Sequence, residues 1–337
     1  MKTETKTPLF ELPQLLSSRN AAFLCCASFE ERSRSIPVAL KSLHFQRTII
    51  FACDDSYPKI KDKACEIRHL FDYNAEIVYT KSHEPLITAN AMSKAVQKIL
   101  NYNIDDIIID ITTFTHEMLL ILLRMLCNNK KKISRITCLY TGALDYSIGD
   151  TDERKWLSKG CKDVRSVFGF PGQLVPGRPT FLIVLVGFEH ERATRMINLM
   201  DPDFLLLGKG IPSEEHMTNE SHKAPMEYFH KLVQEMVSNR GNVGSFEFSC
   251  RHPYLTAETI QEKILATPEY NHIIVPLNTK ISTVAVALTA LANPDVQVCY
   301  AEPDTYNFEN YSTPNNYATM FDLDWIDEKG KEELSNC

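Results

Sequence analysis

Apolar residues along this chain fall into short unbroken runs, and each run is followed by a stretch with helical spacing. In the first half the runs predict strands near 21–27, 47–53, 75–80, 105–111 and 134–140. The intervening stretches predict helices near 32–43, 57–70, 86–101 and 115–127. The second half repeats the order, with strands near 180–187, 203–208, 243–249, 271–277 and 295–301. Its helices fall near 190–200, 224–238, 256–266 and 280–292. Continuous apolar runs are what strands covered on both faces require, and their alternation with helices implies parallel sheets.

The two halves also share particular residues. The run A-F-L-C-C-A-S-F-E-E-R-S-R carries Phe29, Glu30, Arg32 and Arg34, and F-L-I-V-L-V-G-F-E-H-E-R-A-T-R carries Phe188, Glu189, Glu191, Arg192 and Arg195. I-I-I-D-I-T-T-F-T-H-E-M-L-L is answered by I-I-V-P-L-N-T-K-I-S-T-V-A-V, and I-T-C-L-Y by V-Q-V-C-Y. The three matches keep their order at a spacing of about 160 residues, a domain-sized period that marks a duplication rather than a solenoid. With right-handed crossovers the expected fold class is α/β: two tandem Rossmann-like domains with mostly parallel sheets, related by internal duplication.

The expected boundaries are a first domain over 1–145, a linker over 146–179, a second domain over 180–310 and a tail over 311–337. The linker assignment rests on mixed charge and the Pro/Gly cluster F-G-F-P-G-Q-L-V-P-G-R-P, which breaks both periods. A polar stretch from Gly208 to about Lys223 reads as a loop within the second domain. The tail has weak periodicity.

Composition narrows the function classes. Hydrophobic residues at 44% and charged residues at 23% are ordinary globular usage, which excludes disordered and coiled-coil readings. The formal net charge of −7 makes direct nucleic-acid binding an unfavoured reading, and Lys130–Lys132 reads as a solvated turn. The apolar runs are too short to span a bilayer, and M-K-T-E-T-K-T-P is no signal core, so no membrane association and a cytoplasmic location are expected. Ten cysteines without a C-x-x-C pair read as free thiols. His216 and His222 lack the helical spacing of a metal site, so no metal is expected, and no cofactor either. The absence of G-x-G-x-x-G and of G-x-x-x-x-G-K-[ST] disfavours a dehydrogenase or a P-loop ATPase.

Candidate chemistry gathers at two turns in each half. Open parallel sheets bind ligands beyond the carboxyl ends of their strands, where strand order reverses. The first and fourth strands usually flank that crevice. This places Ser28, Glu30, Arg32 and Arg34 beside Asp110, Thr112, Thr113 and Thr115. In the second half it places Gly187, Glu189, Arg192 and Arg195 beside Asn278, Thr279, Lys280 and Ser282. Helix amino ends, hydroxyls and guanidinium groups suit an anionic, nucleotide-like ligand. The bland alternative is that the hydroxyls are helix caps and the Glu–Arg pairs solvated ion pairs.

The run D-I-T-T-F-T-H-E-M, Asp110 to Met118, resembles the D-x-T-G-G-T-K-x-M turn of CRISPR-associated Rossmann-fold (CARF) sensor domains. Asp110, Thr112, Thr115 and Met118 fall on matching positions, while Thr113 and Phe114 replace the glycine pair and His116 the lysine. In the second half P-L-N-T-K-I-S keeps Thr279 and Lys280. A fused pair of such domains also resembles the SAVED sensors of bacterial anti-phage signalling. The resemblance implies a cyclic-oligonucleotide second messenger bound at a cleft of the two duplicated domains.

The expected function is therefore a sensory or regulatory module of a prokaryotic anti-phage defence system, binding a nucleotide-type signal and acting through a separate effector protein. Oligomeric state is left open. One alternative is an enzyme in the same cleft, a phosphodiesterase, ring nuclease or nucleoside hydrolase, with His116, Glu117, His190 and Glu191 as candidate catalytic groups. The other is a non-catalytic scaffold or adaptor subunit of a defence complex.

Overall fold

The computed structural model describes residues 4–17, 19–54, 57–71, 75–146, 156–212 and 220–326, with side chains from 226 onward in the helix that begins at 220. The chain opens with β1 (Thr5–Pro8) and a short helix, α1 (Leu12–Leu16). A strand–helix alternation follows: β2 (Ala22–Ala27), α2 (Arg32–Leu40), β3 (Arg47–Cys53), α3 (Lys59–Arg68), β4 (Ala75–Thr80) and α4 (Pro85–Asn101). It closes with β5 (Asp106–Asp110), α5 (His116–Asn128) and β6 (Arg135–Tyr140). Three further strands come next, β7 (Ala143–Tyr146), β8 (Ser158–Lys159) and β9 (Asp163–Pro171). The second alternation is β10 (Thr180–Val186), α6 (His190–Met200), β11 (Phe204–Ile211), α7 (Glu220–Met236) and β12 (Val243–Ser249). It continues through α8 (Pro253–Leu265), β13 (Asn271–Pro276), α9 (Lys280–Ala292) and β14 (Gln297–Glu302). Then β15 (Thr305–Tyr306), β16 (Ser312–Pro314) and β17 (Tyr317–Asp322) complete the described chain.

Each half is an α/β sheet with Rossmann-type strand order. The first sheet runs β1-β17-β6-β5-β2-β3-β4, and its five strands from β6 to β4 are all parallel. The second runs β12-β11-β10-β13-β14-β9, parallel except for β9. In both, the first strand of the alternation lies beside the second on one flank and the fourth on the other. That is the strand-order reversal expected from the duplication, and it puts the β2–β5 and β10–β13 carboxyl ends side by side.

Two segments do more than their sequence suggested. Residues 163–171, within the stretch expected to be a linker, form β9 and pair antiparallel with β14, Tyr300 facing Arg165 and Cys299 facing Ser166. Residues 317–322, within the expected tail, form β17 between β1 and β6, with Met320 facing Leu139 and Thr5. Ser312–Asp324 accordingly belong to the compact unit that holds residues up to Asp145, and the second unit runs from Tyr146 to Tyr311. Neither strand belongs to the strand–helix alternation, so local periodicity does not announce it. The polar stretch expected as a loop from Gly208 is shorter at its start, because β11 continues to Ile211; residues 213–219, and His216 with them, lie outside the described residues.

Two helices start at threonine caps. Thr115 is extended and its Oγ1 accepts from the Met118 amide at 3.1 Å; Thr279 does the same for Ser282 at 3.2 Å. A cap of this kind contributes about 1 kcal/mol. Behind Thr115, α5 buries Met118 through Leu123 and Leu126, apolar nearly all round because both the sheet and α4 cover it. The first core stacks Phe23 on Phe45 at 5.2 Å and on Phe71 at 5.5 Å. The second packs Leu182, Val184, Leu207 and Val275 against Met196 and Val233.

The cysteines among the described residues are free, and Cys65, Cys127 and Cys161 are only half-buried; Cys337 lies outside the described residues. Burial pushes the Cys250 and Cys299 thiols up to about 12, which leaves them inert as nucleophiles. Among the described residues no helix is long and apolar enough to cross a membrane.

Candidate functional site

At the switch point of the first unit the candidate residues come together, but they bond mainly to one another. Arg32, the first residue of α2, is 4% exposed. Its Nε donates to Glu30 Oε2 at 2.8 Å and to Ser312 Oγ at 3.1 Å, and Nη1 donates to the Thr141 carbonyl at 3.4 Å. Ser312 Oγ in turn donates to Glu30 Oε2 at 3.0 Å. Ser28 accepts weakly from the Glu30 amide through Oγ, and Ser33 Oγ bonds the Ser28 carbonyl. Arg34 faces away, pairing with Glu66 on α3 at 3.4 Å.

The threonine turn is similarly committed. Thr112 Oγ1 accepts from the Thr141 amide at 3.0 Å, which ties the end of β5 to the end of β6. Thr113 Oγ1 donates to the Cys26 carbonyl at 2.6 Å, which ties it to the end of β2. Phe114, standing where the resembling turn has a glycine, is 1% exposed and packs on Phe51 at 5.7 Å. Asp110 is 2% exposed and accepts from the Thr112 amide at 3.0 Å. Burial raises its carboxyl to about 7, against the opposing pull of the Thr112 bonds and the Arg32 guanidinium.

The second unit repeats the frame with different chemistry. Arg192 pairs with Glu189, and its Nη1 donates to the Ala301 carbonyl at 3.0 Å, the counterpart of the Arg32–Thr141 bond. Asn278 Nδ2 donates to the Val186 carbonyl at 2.6 Å, the counterpart of the Thr113–Cys26 bond. The duplication therefore preserves two stitches: a Glu–Arg pair bonded to the end of the fifth strand, and a polar side chain tying the fourth-strand turn to the first strand. The Ser312 hydroxyl has no equivalent on Arg192, whose side chain is 6% exposed and whose Nε makes no hydrogen bond among the described residues. Arg195 is exposed one turn further along α6, and Lys280 is half-exposed at the start of α9. Ser282 is buried, its hydroxyl donating to the Thr279 carbonyl at 2.8 Å.

Gly187 marks how closely the two flanking strands approach, since a Cβ there would overlap the Leu277 carbonyl oxygen. Gly187→Ala is expected to cost about 1–3 kcal/mol, read as a lower thermal midpoint of the second unit. A wild-type midpoint would mean that β10 and β13 separate easily at this end.

The two histidine–glutamate pairs both lie at helix starts. His116 and Glu117 are 6% and 5% exposed at the buried start of α5. Glu191 is exposed and accepts from the Gly160 amide, whereas His190 lies parallel to the Phe229 ring at 5.9 Å. Adjacent helical positions diverge by about 100°, and His190 and Glu191 have separate partners. Among the described residues no group of three or more His, Cys, Asp or Glu is placed to hold a metal ion.

Sequence reasoning missed Ser312 and Thr141, because no local pattern links positions so far apart in the chain to Arg32. It also passed over Tyr228 and Phe229, which read as ordinary positions of their helix.

No family model matches the chain, and no curated protein matches it in sequence. Among solved structures it is similar to a LacI transcriptional regulator from Bacteroides fragilis, at 12% identity and a TM-score of 0.28 over 87% of this chain and 88% of that one. It is also similar to an ABC transporter solute-binding protein from Bacillus halodurans with bound myo-inositol, at 10% identity and a TM-score of 0.25 over 83% and 75%. Neither likeness bears on what this chain binds. What the chain's own strands establish is an α/β protein of two duplicated units, each with mostly parallel strands and a reversal of strand order.

Proposed function

We propose that the protein is a non-catalytic sensory module that takes a nucleotide-type signal at the switch point of its second unit and acts through a separate effector. The observation that carries this reading is the buried Arg192 guanidinium, whose Nε has no hydrogen-bond partner among the described residues at the amino end of α6. A buried donor left unsatisfied costs about 1–3 kcal/mol, and an anionic oxygen would remove that cost. Arg195 and Lys280 add positive charge on the two sides of the same switch point, where helix amino ends favour phosphate. The first unit's groups are spent on internal bonds, so its part in this reading is structural. Placement in an anti-phage system, and a cyclic oligonucleotide as the signal, follow from the resemblance of the Asp110–Met118 turn to CARF sensors.

Thermal unfolding of the full chain against cyclic di-, tri- and tetranucleotides and linear nucleotides tests the reading. A ligand at 100 times its Kd stabilises by about 2.7 kcal/mol, a midpoint shift of about 5–10 °C for units of this size. The expected outcome is a shift with one species, recovery of that species intact, and loss of the shift in Lys280→Ala. Recovery of a cleaved product would replace the sensor with an enzyme, and a flat panel would favour the adaptor.

A further inference from the structure

Five rings gather at the turn that leads from β10 into α6, among them Tyr146, whose ring lies 4.9 Å from Phe188. Phe188 and His190 flank Glu189 in that turn, and Tyr228 and Phe229 come from α7. Phe229 meets Phe188 edge to face at 6.5 Å and 87°, Tyr228 at 5.2 Å and 73°, and His190 in parallel at 5.9 Å and 14°. Phe188, His190 and Phe229 are only half-buried, and Tyr228 is 60% exposed. This cluster of partly exposed aromatic faces lies at the turn that leads into α6, whose third residue is Arg192.

We infer that this cluster is a stacking subsite for the nucleobase of the ligand, with Tyr228 as its outer face. The inference rests on the reading of the second unit as a nucleotide site and adds what the ligand must contain. A helix amino end and arginines attract a phosphate, but they do not distinguish a nucleotide from any other phosphate ester. Flat π faces a few residues away supply that distinction, because every nucleobase presents a flat face of its own. An edge-to-face contact covers little of a tyrosine, so the Tyr228 ring keeps a surface to offer. Its substitution also leaves the core intact, since most of the side chain is already in solvent.

The test is a titration of the full-length protein with 2-aminopurine riboside 5′-monophosphate, whose fluorescence is quenched when the base stacks, alongside ribose 5-phosphate. The nucleotide is expected to bind with quenching. Tyr228→Ala should weaken it about 5- to 100-fold, while ribose 5-phosphate binds the variant as it binds the wild type. Tyr228→Phe should restore nucleotide affinity, and Lys280→Ala should weaken both compounds. Binding of the nucleotide without quenching, or equal affinity in Tyr228→Ala, overturns the stacking subsite and leaves the nucleotide-site reading standing. Equal weakening of both compounds by Tyr228→Ala also overturns it, since the ring would then act by shaping the turn. If neither compound binds the wild type, both the subsite and the reading beneath it fall.

Discussion

Arg32→Ala is expected to lower the unfolding free energy of the first unit by about 3–5 kcal/mol. The reason is the carboxylate that it strands. The Glu30 side chain is 9% exposed, and Arg32 supplies the positive charge facing it. Without Arg32 the carboxylate keeps the Ser312 hydroxyl, one neutral donor for a buried charge. Breaking a buried pair on one side costs far more than replacing both partners, so the double variant Glu30→Gln/Arg32→Met should recover most of the loss. Denaturant unfolding, with hydrogen exchange of β2 and β5 amides to isolate the first unit, reads both effects. A loss below about 1 kcal/mol would put the pair with exposed ion pairs and return Arg32 to the role of a ligand clamp. Arg192→Ala should act on Glu189 in the same way, which is why Lys280 rather than Arg192 is the cleaner probe of ligand binding.

Asp110 makes the first unit lose stability as pH rises. Its carboxyl stands at about 7 in the folded chain against 3.8 in an unperturbed one. A group whose folded value is raised contributes most below its unfolded value and loses that contribution as pH climbs through the folded one. Between pH 4 and pH 8 the folded state must give up a proton that the unfolded chain has already lost. The cost is about 4 kcal/mol at full ionisation. Asp110→Asn keeps an oxygen to accept from the Thr112 amide and removes the titration. The expected result is a stability difference between variant and wild type that is small near pH 4 and grows by up to about 4 kcal/mol in the variant's favour by pH 8. A difference that stays constant across that range would show that Asp110 is solvated when folded.

Much of the architecture is legible in the residues taken in order. Runs such as A-F-L-C-C-A and F-L-I-V-L-V are buried on both faces, and Thr115 and Thr279 cap the helices that the periodicity predicts. The repeated Phe-Glu…Arg turn marks the duplication, and both copies do occupy the switch point. These features are local: hydrogen bonding within a helix, alternation along a strand and a cap three residues away act over a few positions, so the chain's order is enough to reveal them.

What the turns do is another matter. The same Glu–Arg pattern reads equally as a phosphate grip or as an ion pair, and the choice is made by Thr141, Ala301 and Ser312, more than a hundred residues further along the chain. The strands β9 and β17 stand outside the strand–helix alternation; they are strands because β14 and β6 present open edges to them. Likewise, a serine hydroxyl reaches the first guanidinium, and among the described residues none reaches the second, which separates two turns of similar sequence. The order of residues by itself determined the elements, their alternation and the duplication, because these depend on short-range periodicity. Only the tertiary structure decided which polar groups are satisfied and which remain available, because burial and partnership belong to segments that meet only after folding.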